Sequence, residues 1–370
     1  MKHYWEYKKL KNVCRKGSSN IQQNKIVGID GEYPVYGASG YVQNVDFYHQ
    51  EHPYIGIVKD GSGVGRVNKY PAKSSLLGTM QYILPNEGMS LGYLMYCLQS
   101  LKLSKFASGA AIPHIYFRDY GECSVPVPAL AVQERIVGEL DKVSEIIEKK
   151  KQQVKELDTL AQSIFYDMFG DPVENEKGWE VKKTKDFGEV KIGPFGSLLH
   201  KSDYISGGIP LVNPIHMRDG KIFVDNNFTI SESKAKELSS YLMQEGDFVF
   251  ARRGEIGRCA IVRNCDNGCL CGTGSLFVRF SQMMDRLFLR YVVNSKSFVA
   301  ELVDKAKGAT MLNINCGIVE ELRIPNPPLP LQQAFAEKVE TIEKQKELIT
   351  ASLKEAERLF DSRMEYWFGE

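Results

Sequence analysis

The sequence predicts an α+β protein with two duplicated mixed α/β domains, each followed by a long helix. The two helices are predicted to form an antiparallel coiled coil in a pseudo-two-fold symmetric arrangement. Three observations support this. The opening stretch WEYKKLKNV recurs as WEVKKTKDF from residue 179, each half contains short apolar runs broken by glycines, and each half ends in a heptad-patterned segment. A chain of 370 residues has the length of two ordinary domains.

The duplication runs through the whole chain. After the opening repeat, the spacing between matching stretches grows slowly and then stays constant to the end. The matching stretches are Val64-Gly65-Arg66 with Ile256-Gly257-Arg258, Gly78-Thr79 with Gly272-Thr273, Gly109-Ala110 with Gly308-Ala309, Pro126 with Pro325, Gln133 with Gln332, and Phe169-Gly170 with Phe368-Gly369. We therefore predict segments at residues 1–125, 126–170, 171–325 and 326–370, with insertions in the second globular copy.

Both globular segments contain runs that are typical of buried strands. The runs PYIGIV at 53–58 and GDFVFA at 246–251 are short, apolar and bounded by turn residues. Each segment then leaves through prolines, SVPVP at 124–128 and RIPNPP at 323–328. Because a proline holds the residue before it in extended geometry, these stretches predict where the two long helices begin.

Apolar residues along both helical segments recur in alternating steps of four and three, the pattern of a coiled-coil seam. The predicted seam consists of Ile136, Leu140, Val143, Ile147, Val154, Leu157, Ile164, Phe335, Val339, Ile342, Ile349, Leu353 and Phe360. About 35 residues of helix extend on the order of 50 Å. An antiparallel pair would place the globular domains at opposite ends of a rod. The alternative is that each helix packs only on its own domain, leaving Lys150 and Lys346 as solvated edge positions.

Charge is distributed unevenly although the formal net charge is only +1. Residues 1–125 carry 14 basic and 9 acidic side chains, and residues 171–325 carry 21 and 20. The two helical segments are acidic, with 6 basic against 8 acidic side chains and 6 against 9. Overall neutrality therefore does not exclude a local phosphate-binding face on the globular segments.

Motifs for catalysis, cofactors and metals were sought, and no catalytic constellation was found. The cluster Cys259, Cys265, Cys269 and Cys271 contains no C-x-x-C pair, which favours free thiols in a reduced compartment over structural zinc. The stretch NPPL at 326–329 is similar to the tetrad with which amino-methyltransferases hold adenine, but it lacks the stacking aromatic residue. We interpret it as a rigid entry to the helix.

The glycine-rich stretch DGSGVGR at 60–66 and its duplicate RRGEIGR at 252–258 match neither a dinucleotide-binding fingerprint nor a Walker motif. Glycines between two strands predict a tight hairpin. The alternative left open is a hairpin that also brings backbone and arginines to a phosphate chain.

With these features in place, the chain resembles the specificity subunit of type I restriction-modification systems. The resemblance rests on two variable domains, each leading through G-A, I and P-x-P-x-L-x-x-Q into a long helix that closes in Phe-Gly, and it covers residues 5–369. The stretch KIGPFGS at 191–197, followed by GIPLV at 208–212 and GKI at 220–222, is also similar to the opening of such target-recognition domains. The first copy departs from this pattern with a shorter opening, YPVYGASG at 33–40.

The resemblance implies a non-catalytic, sequence-specific DNA-recognition subunit. Each globular domain would recognise one half of a bipartite, asymmetric site in double-stranded DNA, while the helices set the spacing. Expected partners are two adenine methyltransferase subunits, which bind S-adenosylmethionine and flip the base, and one or two translocating nuclease subunits that use ATP and magnesium. The resemblance leaves open whether a nuclease subunit takes part. No cofactor is expected in this chain, no apolar run has the length of a membrane span, and the expected location is the cytoplasm.

Basic side chains near the glycine turns are the candidate DNA contacts, because lysine and arginine bind phosphates and arginine reads guanine. The candidates are Lys59, Arg66, Lys69, Lys105, Arg252, Arg253, Arg258, Lys305 and Lys307. For each of them the alternative is a solvated surface charge. Two other functions stay open: a coiled-coil scaffold that does not bind DNA, and a methyltransferase with fused recognition domains, for which the chain shows no cofactor-binding segment.

Overall fold

Two separate units of packing make up the chain in the computed structural model, which describes residues 5–109, 111–280, 284–306 and 313–369. Unit 1 comprises Met1–Gln152 and Thr350–Glu370, and unit 2 comprises Gln153–Ile349. Each unit therefore contains one globular domain and a part of each long helix. No helix in the described residues has the length and apolar composition needed to cross a membrane.

The globular part of unit 1 is built on a four-stranded antiparallel sheet. Its strand order is Cys14–Ser18, Met80–Pro85, Tyr54–Val58 and Val67–Tyr70. A second sheet has the order Gly40–Val45, Tyr33–Gly37 and Ser75–Leu76, whose last pair is parallel, and Glu6–Lys9 pairs with Ser124–Val127. All five residues of Tyr54–Val58 are buried, as their β-branched and aromatic composition requires of a central strand.

Short helices cover this sheet. They are Leu10–Val13, Gln23–Ile26, Leu91–Ser100, Phe117–Tyr120 and the 3-10 helix Leu103–Phe106. Helix Leu91–Ser100 buries Tyr93, Leu94 and Cys97 in the main hydrophobic core of the unit, where Ile136 and Leu140 of the first long helix join them.

Unit 2 repeats this topology. Its four-stranded sheet has the order Gly188–Ile192, Ser275–Phe280, Phe248–Ala251 and Cys259–Ile261. The other strands are Tyr204–Ile205, Thr229–Ile230, Ile209–Val212 and Leu270–Cys271 in one sheet, Met217–Arg218 with Lys221–Ile222, and Val181–Lys183 with Arg323–Pro325. The helices are Thr184–Phe187, Glu232–Glu237, Arg286–Asn294, Lys296–Lys305 and Cys316–Glu320, with 3-10 turns at Gly196–Leu198, Lys201–Asp203, Pro214–His216, Ser239–Tyr241 and Asn264–Asp266. The matching strand orders confirm the predicted duplication, and the predicted strands at 53–58 and 246–251 are confirmed as Tyr54–Val58 and Phe248–Ala251.

The repeated opening motif has a structural reason. In unit 1 the ammonium groups of Lys9 and Lys11 lie 2.7 and 2.5 Å from the two carboxylate oxygens of Glu122. In unit 2, Lys183 and Lys185 each lie 2.5 Å from a carboxylate oxygen of Glu321. Hydrogen bonds from these lysines lower the pKa of both glutamates to about 2. Each lysine pair thus ties the first strand of its domain to the segment that precedes the last strand.

The two long helices, Leu130–Phe169 and Leu329–Phe368, each contain 40 residues; we call them the central helix and the C-terminal helix. Both begin after a proline and end in Phe-Gly, where Gly170 has φ 73° and its amide donates to Tyr166 O at 2.9 Å. A buried glutamine anchors each start. The Gln133 amide donates to Pro128 O at 2.9 Å and accepts from Ser90 N at 2.8 Å, and Gln332 makes the matching bonds to Pro327 O and Asp285 N at 2.8 and 3.0 Å.

Within each unit, the first half of one long helix contacts the second half of the other. In unit 1 the central-helix residue Glu139 pairs with Arg363, and the Trp5 and Trp367 rings stack with centroids 5.8 Å apart. In unit 2, Lys346 of the C-terminal helix lies 2.5 Å from Asp158. The lysine side chain is only 16% exposed, so the alternative in which it is a solvated edge position does not hold for it.

All thirteen predicted seam residues are buried or half-buried. Seven are buried, all in the first half of their helix: Ile136, Leu140, Val143, Ile147, Phe335, Val339 and Ile342. Val154, Leu157, Ile164, Ile349, Leu353 and Phe360, in the second half, are half-buried. Phe165 and Phe169, which lie outside the predicted stripe, are also buried and pack on Phe288 and Phe335 in unit 2. The end of the central helix therefore has a wider apolar face than a coiled-coil seam alone requires.

Candidate nucleic-acid interface

The glycine-rich stretch of unit 1 forms a tight hairpin, as predicted. It joins the antiparallel strands Tyr54–Val58 and Val67–Tyr70. Gly61, Gly63 and Gly65 have φ of 79°, 87° and 87°, values that residues with a side chain rarely adopt. At Gly65 a Cβ would also lie 2.4 Å from the backbone N of Ser104. The glycines therefore serve the turn and its close packing on the neighbouring backbone.

The arginine that closes the hairpin performs the same task in both units. Arg66 Nη1 donates to the carbonyl of Ala38 at 2.9 Å, and Arg258 Nη1 donates to the carbonyl of Pro214 at 3.1 Å. Ala38 and Pro214 lie in corresponding loops, directly after strands Tyr33–Gly37 and Ile209–Val212. Each guanidinium therefore ties the hairpin to this loop while part of it stays accessible to solvent.

The hairpin turn is also tied to the loop that follows the Gly-Ala positions. In unit 1 the carboxylate of Asp60 contacts His114 Nδ1, and Ile115 N donates to Lys59 O at 3.0 Å. In unit 2, Arg252 Nε donates to Asn313 Oδ1 at 3.1 Å, and Ile314 N donates to Arg252 O at 2.9 Å. The same loop connection is thus made by an acid and a histidine in one copy and by an arginine and an asparagine in the other.

The expectation of an exposed side chain is wrong for Arg252. This residue is only 6% exposed, and burial, followed by the nearby charge of Arg253, lowers the pKa of its guanidinium. The physical reason is its bond to Asn313, which draws the side chain inward and away from the turn surface. Arg252 therefore holds the loop, whereas its neighbour Arg253 is exposed.

The remaining candidates differ in how far they are already engaged. In unit 1, Lys59 is paired with Asp60 at 2.6 Å, Lys69 is exposed on the edge strand, and Lys105 is exposed with its ammonium 5.3 Å from the ring centre of Phe106. In unit 2, Arg258 also contacts Glu255, and Lys305 contacts Glu301 one helical turn earlier. Lys307 lies outside the described residues. Arg66, Lys69 and Lys105 in unit 1 and Arg253 in unit 2 are thus the candidates with exposed side chains and no acidic partner in the described chain.

Three loops beside each hairpin form a cleft in unit 1 and a corresponding surface in unit 2. In unit 1 they are residues 19–23, 37–42 and 77–79, which enclose about 750 Å³. In unit 2, Thr273 Oγ1 donates to Pro194 O at 2.8 Å and Gly274 N donates to Asn213 Oδ1 at 3.2 Å, so that side chains join the loops at 193–198, 213–216 and 272–274. This feature could not be predicted from the sequence, because its three loops are far apart in the chain.

Large apolar side chains lie exposed on the long helices at matching positions. Leu160 of the central helix is 48% exposed and Leu359 of the C-terminal helix is 51% exposed. In unit 2, Leu160 borders a shallow apolar depression of about 560 Å³ together with Leu157, Leu348 and Ile349. Leu160 and these neighbours thus form a small contiguous apolar patch, and contiguous exposed apolar patches are typical of protein-binding surfaces.

The four clustered cysteines are free thiols. Cys259, Cys269 and Cys271 are buried, and burial raises the pKa of Cys259 to about 12, whereas Cys265 is exposed. In the described part of the chain no three histidine, cysteine or acidic side chains are grouped so that they could hold a metal ion.

The similarity to known proteins extends over both copies of the duplicated domain. The family model described as the type I restriction modification DNA specificity domain matches twice, at residues 2–157 and 176–358. Among relatives from Methanocaldococcus jannaschii, the specificity subunit of the type I restriction enzyme MjaVIII is 25% identical over 321 residues, covering 81% of this chain and 74% of that protein. The MjaIX specificity subunit is 26% identical over 273 residues, covering 68% and 62% respectively.

The chain shares its fold with other proteins of known structure, two of which are described next. The S subunit of a type I restriction-modification system from M. genitalium superposes with a TM-score of 0.60 at 13% identity, covering 99% of this chain and 96% of that one. A chain from a structural study of complex assembly and conformational transition of the type I restriction-modification system gives a TM-score of 0.56 at 17% identity, covering 98% and 96%.

Proposed function

Because the chain belongs to the family of type I restriction-modification DNA specificity domains, we propose that it is the sequence-specific DNA-recognition subunit of such a system. Each globular domain recognises one half of a bipartite DNA site. The observation that carries this proposal is that both domains keep one frame, a hairpin tied by Arg66 or Arg258 to the neighbouring loop, while the exposed side chains on that frame differ. Two different surfaces on one frame suit two different half-sites.

The two long helices would form an antiparallel coiled coil that fixes the distance between the half-sites. Its support is that Glu139 pairs with Arg363 in unit 1 and Asp158 pairs with Lys346 in unit 2. From Glu139 to Asp158 the residue number rises along the central helix, whereas from Arg363 to Lys346 it falls along the C-terminal helix. This is the pairing order of an antiparallel coiled coil. The half-buried and buried seam supports the same arrangement.

The DNA contacts that this proposal favours are the basic side chains that remain exposed. Arg66, Lys69 and Lys105 would bind the backbone of one half-site, and Arg253 would bind that of the other, because exposed cations near glycine turns can approach phosphates closely. One edge of the Arg258 guanidinium is bound to the carbonyl of Pro214. Arg258 would therefore add to the electrostatic attraction for DNA without being free to reorient toward a phosphate.

The chain would supply no chemistry of its own. Two methyltransferase subunits holding S-adenosylmethionine would dock on the helices, one at each of the matching leucines Leu160 and Leu359, and nuclease subunits using ATP and magnesium would join them. One of the fold neighbours comes from a study of complex assembly in a type I system. The site of action would be the cytoplasm, where the DNA is found.

Methylation-sensitive sequencing tests the proposal. Genomic DNA is compared between cells that carry this chain with its methyltransferase partner and cells that carry the partner alone. We expect N6-methyladenine in one split, asymmetric motif only when the chain is present. If the partner is expressed and active but its methylation pattern is the same without this chain, the recognition role is wrong and a scaffold that does not bind DNA becomes the better account.

A further inference from the structure

We propose that the cleft of unit 1, formed by residues 19–23, 37–42 and 77–79, reads base edges, and that the amides of Asn20, Gln22 and Gln23 select adenine in an A·T pair. The inference rests on the proposed DNA-recognition function and specifies how the first half-site is chosen. We call this feature the amide cleft.

The composition of the amide cleft separates base readout from phosphate binding. Its lining contains Ser19, Asn20, Gln22, Gln23, Ser39, Tyr41 and Thr79, with glycines, alanine and aliphatic residues between them, and no charged side chain. Phosphate sites require cations, whereas base edges are read by neutral hydrogen-bonding groups as well. A neutral polar cleft beside the exposed cation Arg66, which bonds to the cleft residue Ala38, therefore suits base edges, with the DNA backbone held at the rim.

The polar side chains in the cleft are available for a ligand. Asn20, Gln22, Gln23, Ser39 and Thr79 are exposed, and within the described chain their side chains form no hydrogen bond with other protein groups. By contrast, Ser19 is occupied by the backbone of Leu76 and Ile21. The free groups thus lie on the open side of the cleft, and the occupied hydroxyl is part of its wall.

The backbone that carries these amides is held in place before any ligand binds. Gly78 N donates to Ile21 O at 2.8 Å, which closes the first loop on the third, and Leu77 N donates to Tyr36 O at 2.8 Å, which joins the third to the second. Arg66 then fixes Ala38 O from the hairpin side. A preorganised cleft loses less conformational entropy on binding, as discrimination between base pairs requires.

The amides indicate which base pair is preferred. A carboxamide offers one donor and one acceptor side by side, and adenine presents the complementary N7 acceptor and N6 donor in the major groove. Two adjacent glutamines and an asparagine on one wall of the cleft therefore favour adenine over guanine, which presents two acceptors at that edge.

The corresponding surface of unit 2 has different chemistry. There the exposed side chains include the apolar Phe195, Leu198 and Ile215, which are 55%, 43% and 54% exposed. The amide in its loops, Asn213, is already bound to the backbone of Gly274. The same three-loop frame thus carries free amides in one domain and apolar groups in the other, so the adenine selection proposed here applies to the first half-site alone.

The test determines the methylated motif for the assembled complex of this chain with its methyltransferase partner. The variant Gln22→Ala/Gln23→Ala is compared with Asn24→Ala, a matched control because Asn24 is an exposed amide on the same short helix that does not line the cleft. We expect the double variant to lose discrimination at one or two positions of one half-site by about tenfold to a hundredfold. The other half-site and the control motif should not change.

A second variant, Gln22→Glu, keeps the side-chain size and removes the donor. A carboxylate accepts from cytosine N4, so we expect the preference at the affected position to move from adenine toward cytosine. A full-strength, unchanged motif with both the double variant and Gln22→Glu would overturn the inference. A wild-type complex that methylates no split motif would instead refute the proposed function, so the two failures are distinguishable. Should the double variant not assemble, the Gln22→Glu result alone decides.

Discussion

Two neighbouring arginines in the unit 2 hairpin are predicted to have separable roles. Arg252 is buried and donates to Asn313, whereas Arg253 is exposed. Replacing Arg252 with alanine removes a hydrogen bond from a charged group, about 1.5 to 3 kcal/mol, and two buried methylenes, about 0.8 kcal/mol each. Relief of the buried charge offsets part of this loss. We expect the free energy of unfolding of unit 2 to fall by about 3 kcal/mol.

The same structural difference predicts the opposite pattern for DNA binding. Arg253→Ala should change the free energy of unfolding by less than about 0.5 kcal/mol, as is usual for exposed positions. It should lower affinity at one half-site and reduce the slope of log affinity against log salt by about 0.9, the value for one lost phosphate contact. Arg252→Ala should lower affinity only in proportion to the unfolded fraction.

Calorimetry and salt-dependent binding of the assembled complex distinguish these outcomes. For a unit of this size a loss of about 3 kcal/mol lowers Tm by about 6 to 12 °C. If Arg252→Ala leaves the unit 2 transition in place yet reduces the salt slope, Arg252 is a phosphate ligand and its structural role is wrong. If Arg253→Ala destabilises the protein as strongly as Arg252→Ala, the surface role of Arg253 is wrong.

Two further predictions concern the lysine ion pairs of Glu122 and Glu321 and the exposed leucines Leu160 and Leu359 of the long helices. The pKa of Glu122 and Glu321 is lowered to about 2 from an ordinary value of 4.5, so the stabilising effect of these glutamates should be complete above pH 4.5 and disappear as pH falls toward 2. In the double variant with glutamine at both positions, the free energy of unfolding should therefore depend less steeply on pH in that window. A dependence as steep as that of the wild-type protein would exclude the ion pairs as the cause. Leu160→Asp combined with Leu359→Asp should abolish co-purification with the methyltransferase partner while preserving Tm. Ile112→Asp, at an apolar position of unit 1 that is 68% exposed, should retain co-purification. Retained co-purification in the leucine variant would place the docking face elsewhere.

The sequence predicted most reliably the features that depend on local pattern. The runs at 53–58 and 246–251 form the expected strands because buried β-branched and aromatic residues bounded by turns have few other stable conformations. Gly61, Gly63 and Gly65 form the expected hairpin because glycine adopts the positive φ values that this turn requires more easily than other residues do. Burial of the predicted stripe on the long helices also followed from periodicity, since apolar residues at helical spacing share one face.

Features that depend on contacts between distant residues were not predictable. Arg252 was expected at the surface because it adjoins a glycine turn, but its position is set by Asn313, 61 residues further along the chain. Phe165 and Phe169 were left out because strict heptad spacing describes one partner, whereas the end of the central helix also packs on Phe288 of unit 2. The amide cleft requires three loops whose proximity no single stretch of sequence specifies.

Backbone amides and carbonyls supply many of the ties in each three-loop frame, and side-chain ties come from Ser19 and Arg66 in unit 1 and from Asn213, Arg258 and Thr273 in unit 2. Backbone groups are the same whichever amino acid occupies a position. Mutation of the outward-facing side chains should therefore have little effect on folding, and a lineage can acquire new DNA targets in successive small steps without first becoming unstable. The fold of the domain can therefore be conserved while the DNA sequence that it recognises changes.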